Sequence, residues 1–185
     1  MRIQLIGLSG YARSGKDTIA DLFAQRHAFT KQSFANPMRE ALYALNPNID
    51  VDGYRVGLKD AVDGMGWETV KALSTEYRPL MQRFGTEVGR TLWGEDFWVE
   101  QAMGKVVPRT IFADVRFKNE ADAIKDAGGI VWRIERPGTP PTNGHESEVS
   151  LDGYEFDAVL LNDSSLTALY AKAEELLSEV DHVQR

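Results

Sequence analysis

The residues best suited to chemistry stand together near the start of the chain. The stretch "GYARSGKDT" runs from Gly10 to Thr18. Gly10, Gly15 and Lys16 have the spacing of a phosphate-cradling turn: a glycine, four residues, then Gly-Lys. Glycines let the backbone wrap phosphates closely. Successive N–H groups and a helix N-terminus supply partial positive charge. Gly10, Arg13, Ser14, Gly15, Lys16, Asp17 and Thr18 are therefore candidate ATP contacts, with Lys16 reaching the β- and γ-phosphates. Asp17 stands where a Ser or Thr is usual, and Thr18 comes one residue late. A carboxylate near phosphate oxygens is repulsive unless a cation lies between them, and Mg²⁺ favours carboxylates, waters and phosphates. Asp17 thus reads as a Mg²⁺ ligand, direct or through water, with Thr18 donating to a phosphate. It also reads as a residue that orients the acceptor, or as a first-turn acid favoured by the helix dipole.

Such a loop must hang between a buried strand and a helix, and the neighbouring pattern supplies both. Ile3 to Leu8 is a short apolar run that predicts a buried strand. From Lys16 the period turns helical, with Ile19, Leu22 and Phe23 on one face. Further strands are predicted at Lys31–Ala35, at Arg109–Val115, in "IVWRIERP" and in "EFDAVLLN". Helices are predicted from Pro37 to Leu45, through "STEYRPLMQRFGTEVGRTLW", and after Val115, with Ala121, Ile124 and Ala127 inward and Gly128-Gly129 as the stop. The last helix is the clearest: Leu166, Leu169, Tyr170, Ala173, Leu176, Leu177 and Val180 share a face, and Ser164 or Ser165 caps it. Five apolar strands separated by helices imply a doubly wound α/β fold on a five-stranded parallel sheet, in one domain spanning residues 1–185. The segment "NPNIDVDGYRVGLKDAVDGMG" shows no sustained period and is expected to form loops and short helices.

Composition bounds the function. The chain has 185 residues, 43% hydrophobic and 26% charged, which suits one soluble globular domain. It has no cysteine, so disulfides and thiolate metal sites are excluded, which suits a cytoplasmic setting. No apolar run approaches the roughly 20 residues of a membrane helix. The net charge of −7 disfavours broad nucleic-acid binding but leaves a mononucleotide open, since a few local arginines can hold it.

In a doubly wound sheet, strand ends face the ligand crevice. Asp114, at the end of "TIFAD", is then an indirect Mg²⁺ partner, an acceptor-side carboxylate, or a plain strand-end acid. Arg116 lies two residues on and can reach a phosphate. Two segments exceed a minimal βα alternation, at about 46–101 and 137–151, and such excursions usually carry function. The first holds Arg78, Arg83 and Arg90, as phosphate ligands or solvated helix arginines. Phe34, Trp93 and Trp98 are either a wall for base or sugar or core packing. Arg136 precedes the second excursion and is a candidate for stabilising the transferred phosphoryl group, while Arg133 can point to the other face of its strand.

"GYARSGKDT", "SFANPMREAL", "LMQRFGTEVGRTLWGEDFWV", "DVRFKNEADAI" and "HESE" together resemble the phage deoxynucleoside monophosphate kinases, of the P-loop nucleotide-kinase group, over nearly the whole chain. "SGKDT" alone is less specific, since phosphomevalonate kinases carry a similar loop. The resemblance implies transfer of the ATP γ-phosphate to a deoxynucleoside monophosphate, with Mg²⁺. It implies an acceptor-binding insertion at about 46–101, with Arg78 and Arg83 on the phosphate, and a lid at about 137–151. It alone raises His145 and Glu146 to candidate substrate contacts, and it places the donor adenine at Asn162, which equally reads as a turn residue. Catalytic candidates are then Lys16, Asp17, Arg116 and Arg136, with Asp17 and Asp114 on the metal side. No nucleic-acid or membrane partner is expected. Oligomeric state stays open, a homodimer included. Another small-metabolite kinase, or a nucleotide switch without acceptor chemistry, are the rivals. A chain encoded by a phage would work in the host cytoplasm.

Overall fold

The computed structural model describes residues 5–140 and 150–183. In chain order the elements are β1 (Leu5–Ser9), α1 (Lys16–His27), β2 (Thr30–Gln32), α2 (Asn36–Leu45), β3 (Asn48–Val51), β4 (Tyr54–Gly57) and α3 (Leu58–Leu73). There follow α4 (Tyr77–Arg83), a π-helical stretch (Phe84–Trp93), α5 (Phe97–Met103), β5 (Thr110–Phe112), α6 (Lys118–Asp126), β6 (Ile130–Glu135), β7 (Ala158–Leu161) and α7 (Leu166–Val183). They gather into two compact units, Met1–Phe34 with Met103–Arg185, and Ala35–Ala102. Among the described residues no helix is long and apolar enough to cross a membrane.

The first unit is built on a five-stranded sheet in the order β2-β5-β1-β6-β7, parallel throughout. β1 is buried at every residue, as a strand covered on both faces must be. Ile6 and Leu8 pack with Ile19 and Phe23 of α1 and with Leu169, Ala173 and Leu177 of α7. Gly7 faces the other way, where an added Cβ would lie 2.6 Å from Ile124 Cδ1 of α6. Helices therefore cover both faces, and the doubly wound arrangement expected from the strand–helix alternation is present. With β5 and β6 flanking β1, the ends of all three strands surround the loop that follows Ser9.

The second unit has its own core of Leu42, Ile49, Val51, Leu58, Val70 and Tyr77. Here the structure departs from the sequence reading. Residues 48–57 are not loops but an antiparallel hairpin, β3 with β4, whereas residues 58–65 are a short helix as expected, the first of two that meet at Gly66 within α3. The second unit also begins earlier than residue 46, because α2 belongs to it. Elsewhere the differences are local. The sheet ladders of β2 and β5 are shorter than the apolar runs that suggested them. Ala127 is exposed as the residue capping α6, and Leu166, 55% exposed, starts α7 before the helix reaches the sheet.

Candidate active site

The phosphate loop occupies residues 10–15 between β1 and α1. Gly10 has φ +140°, and a Cβ there would lie 2.2 Å from the Ile134 carbonyl, so only glycine fits. Gly15 caps α1 in the left-handed region and abuts the Asn162 side chain. Lys16 folds back over the loop, its Nζ donating to the carbonyls of Gly10 at 2.6 Å and Tyr11 at 2.8 Å. Asn162, at the end of β7, donates from Nδ2 to the Ser14 carbonyl at 2.8 Å. Its amide is thus a brace on the loop. Arg136 Nη1 reaches the Arg13 carbonyl at 3.4 Å. Ser14 Oγ is buried and has no hydrogen-bond partner among the described residues.

Lys16 lines two openings, both within the first unit. One is a cleft of about 450 Å³ bordered by Arg13, Ser14, Asp17, Thr18, Arg136 and Asn162. The other is a small recess of about 20 Å³ bordered by Ser9, Gly10, Arg116, Arg133 and Leu151. The cleft holds the loop amides and the start of α1, where an anionic nucleotide is favoured.

Asp17 borders the cleft with its side chain 78% exposed, and it forms an ion pair with Lys31 Nζ of β2 at 2.9 Å. Lys31 also reaches Asp21 at 2.9 Å. Burial pulls the Lys31 ammonium towards lower pKa, but the hydrogen bonds and charges of Asp17 and Asp21 outweigh it and raise the value above that of an ordinary lysine. Lys31 is therefore a cation at neutral pH. An exposed carboxylate beside the phosphate loop suits Mg²⁺ brought in by a nucleotide. Asp114 is placed differently. Its carboxylate accepts from Ser33 Oγ at 2.5 Å and Phe34 N at 3.0 Å, so it ties the end of β2 to the end of β5. It borders neither opening.

Arg116 is held from behind. The buried Glu120 carboxylate accepts from the backbone N–H groups of Arg116, at 2.7 Å, and Phe117, at 3.1 Å, while starting α6.

A model of the family described as deoxynucleotide monophosphate kinase matches residues 74–173. The chain belongs to the deoxynucleotide monophosphate kinase family. A relative from Acanthamoeba polyphaga mimivirus that bears the family's name is 30% identical, covering 98% of each chain. The deoxynucleotide monophosphate kinase of Escherichia phage RB69 is 26% identical, covering 95% of this chain and 100% of its own. Among solved structures, a gluconokinase from Sinorhizobium meliloti 1021 has a TM-score of 0.50 over 100% of this chain and 97% of its own. At 10% identity that likeness is one of fold, and the fold is that of P-loop kinases.

Within this family member the other expected site residues fall into distinct surroundings. Phe34 is 3% exposed and stacked on Phe112 with centroids 4.3 Å apart, which is core packing. Trp98 is buried too, its Nε1 donating to the Gly85 carbonyl at 3.0 Å. Neither is a surface wall for a base or sugar. Trp93 is 52% exposed and leans on Phe97 and Trp98. Arg78 is exposed on α4, and Arg83 is exposed and within 3.4 Å of Glu87. His145 and Glu146, with most of the 137–151 segment, lie outside the described residues. Sequence reasoning overlooked Lys31, Ser33, Glu120 and Asp152. All act through partners distant in the chain or through a helix start without a Ser, Thr, Asp or Asn cap, so no local pattern announces them.

Proposed function

We propose that the chain catalyses transfer of the γ-phosphate of ATP to a 2′-deoxynucleoside 5′-monophosphate, giving ADP and the deoxynucleoside diphosphate. The observation that carries this reading is that Lys16 borders two openings at once, with the nucleotide-sized cleft on one side and an arginine-lined recess on the other. A residue so placed can hold a donor phosphate while charge moves towards an acceptor.

ATP enters the cleft with its phosphates against the loop amides. Lys16 leaves the Gly10 and Tyr11 carbonyls for the β- and γ-phosphate oxygens. An oxygen of the acceptor phosphate forms a bond to the γ-phosphorus, and the bond from that phosphorus to the bridging oxygen breaks, its electron pair leaving with ADP. The attacking oxygen is already anionic, so no strong general base is required. Positioning and charge stabilisation supply most of the catalysis. Asp17 would hold Mg²⁺, which neutralises phosphate charge when it arrives with the nucleotide. Asp114 acts through β2 and β5 rather than on the metal. Arg136 and Arg116 stabilise the transferring group, and Arg78, Arg83 and Trp93 serve the acceptor. The enzyme works in the cytoplasm, that of the host where a phage encodes it.

The test is an acceptor panel with Mg·ATP, reading ADP release with deoxy- and ribonucleoside monophosphates and with phosphomevalonate. Turnover with deoxynucleotides supports the reading. Turnover with phosphomevalonate alone makes the chain another small-metabolite kinase, and turnover without any acceptor makes it an ATPase module.

A further inference from the structure

Arg133 has no role in the account so far, and its surroundings are unusual for an arginine. It lies on β6 opposite Ser9, the last residue before the phosphate loop. It is only 7% exposed. A buried cation is costly unless it is paired and hydrogen-bonded. One edge of its guanidinium is met by Asp152, Nη2 to Oδ1 at 3.2 Å, with Glu135 at 4.0 Å from Nε. Its flat faces are covered by Tyr11, 4.7 Å from the ring centroid, and by Phe156 at 5.6 Å. Tyr11 in turn donates its hydroxyl to Asp152 at 3.1 Å. The guanidinium is thus fixed in plane and in rotation, which mere filling of space does not require.

This fixed cation borders the recess that Lys16 and Arg116 also border. Three cationic side chains converge on one opening, and a cleft lined by one sign of charge draws a ligand of the other. The recess has about 20 Å³ of room, enough for one oxygen atom of water size. A guanidinium carries five N–H donors in a planar fork matched to phosphate oxygens.

We propose that Arg133 is a phosphate-contacting residue of the acceptor side, and that Asp152 and Tyr11 are positioning residues that aim it into the recess. The inference rests on the kinase reading above and adds to it a residue and its two supports. Tyr11 belongs to the phosphate loop and its carbonyl accepts from Lys16. The same side chain therefore links the aim of Arg133 to the loop that holds the donor.

The test uses the full chain saturated with ADP, so that the donor cleft is filled, and titrates it calorimetrically with inorganic phosphate and with dGMP, dTMP and dAMP. Arg133→Met should weaken phosphate and acceptor binding by at least roughly tenfold, the loss expected for a hydrogen bond to a charged group. ADP affinity should change less than about twofold. Arg133→Lys keeps the charge without the fork and should recover part of the loss. Tyr11→Phe and Asp152→Asn leave the arginine in place and should give smaller losses in the same direction. A purely structural arginine would lower thermal stability and leave phosphate and acceptor affinity unchanged in both Arg133 variants, which overturns the proposal. Tighter acceptor binding in Asp152→Asn would show that Asp152 only masks the charge, and overturns its positioning role. Wild-type protein that binds phosphate through Arg133 but phosphorylates none of the three nucleotides would leave the recess standing and sink the kinase reading instead.

Discussion

At the scale of residues, Lys16 and Asp17 stand side by side with different tasks. Lys16 rests on the carbonyls of its own loop, donating to Gly10 and Tyr11. Lys16→Ala should lower kcat by on the order of 10²-fold or more, as expected when a preorganised charge is lost, with little change in thermal stability. Normal turnover in that variant would remove the lysine from the mechanism. Asp17 faces the cleft but is shared with Lys31. Asp17→Asn should reduce turnover and leave it partly restorable by added Mg²⁺, while metal-free ATP binds no more weakly because a repulsive charge is gone. Equal activity at every Mg²⁺ concentration would return Asp17 to a helix-start acid.

At the scale of elements, the phosphate loop, the strand before it and the helix after it were legible because each part has a local cause. Gly10 and Gly15 mark the turn, and Ile19, Leu22 and Phe23 mark a helix face that is buried as expected. The β3–β4 hairpin has a local cause too, in its turn. Asp52 and Gly53 both have positive φ, 53° and 84°, as a two-residue hairpin turn demands. "IDV" and "YRV" alternate on either side of them. What no local rule contained was the π-helical stretch. Within it the packing is tight: at Gly89 a Cβ would lie 1.8 Å from Trp98 Nε1. The indole occupies the space of the missing side chain and donates to Gly85. Gly89→Ala should therefore destabilise the chain by about 1–3 kcal/mol, the range for overpacking a filled site, read as a lower thermal midpoint. An unchanged midpoint would mean that Trp98 moves aside freely. For the site, distance was the limit. Asp114 at a strand end was foreseen, but its engagement by Ser33 and Phe34 was not, since it joins strands far apart in the chain. Phe34 and Trp98 show the same limit, because an aromatic reads alike whether it faces a ligand or a core.

At the scale of the whole molecule, the chain forms two compact units. The first contains the phosphate loop and both openings beside Lys16. The second carries Arg78, Arg83 and the exposed Trp93. If Trp93 packs against C2′ of the acceptor sugar, an added hydroxyl is disfavoured by roughly 10²-fold, since an apolar wall rejects it only modestly. kcat/KM should then favour dGMP over GMP by a clear but finite ratio. Trp93→Ala should narrow it mainly by raising activity on GMP, whereas replacing the buried Trp98 should first cost stability. Equal kcat/KM for dGMP and GMP would leave a general nucleotide kinase.

The outcomes for activity depend on the γ-phosphate reaching a nucleotide rather than water. The most direct measurement follows labelled γ-phosphate from Mg·ATP in the presence and absence of a deoxynucleoside monophosphate. The label should appear in the deoxynucleoside diphosphate, with little inorganic phosphate and little ATP consumed when the acceptor is left out. Label released as inorganic phosphate at the same rate with or without acceptor would contradict the assignment of this chain as a phosphoryl-transfer enzyme.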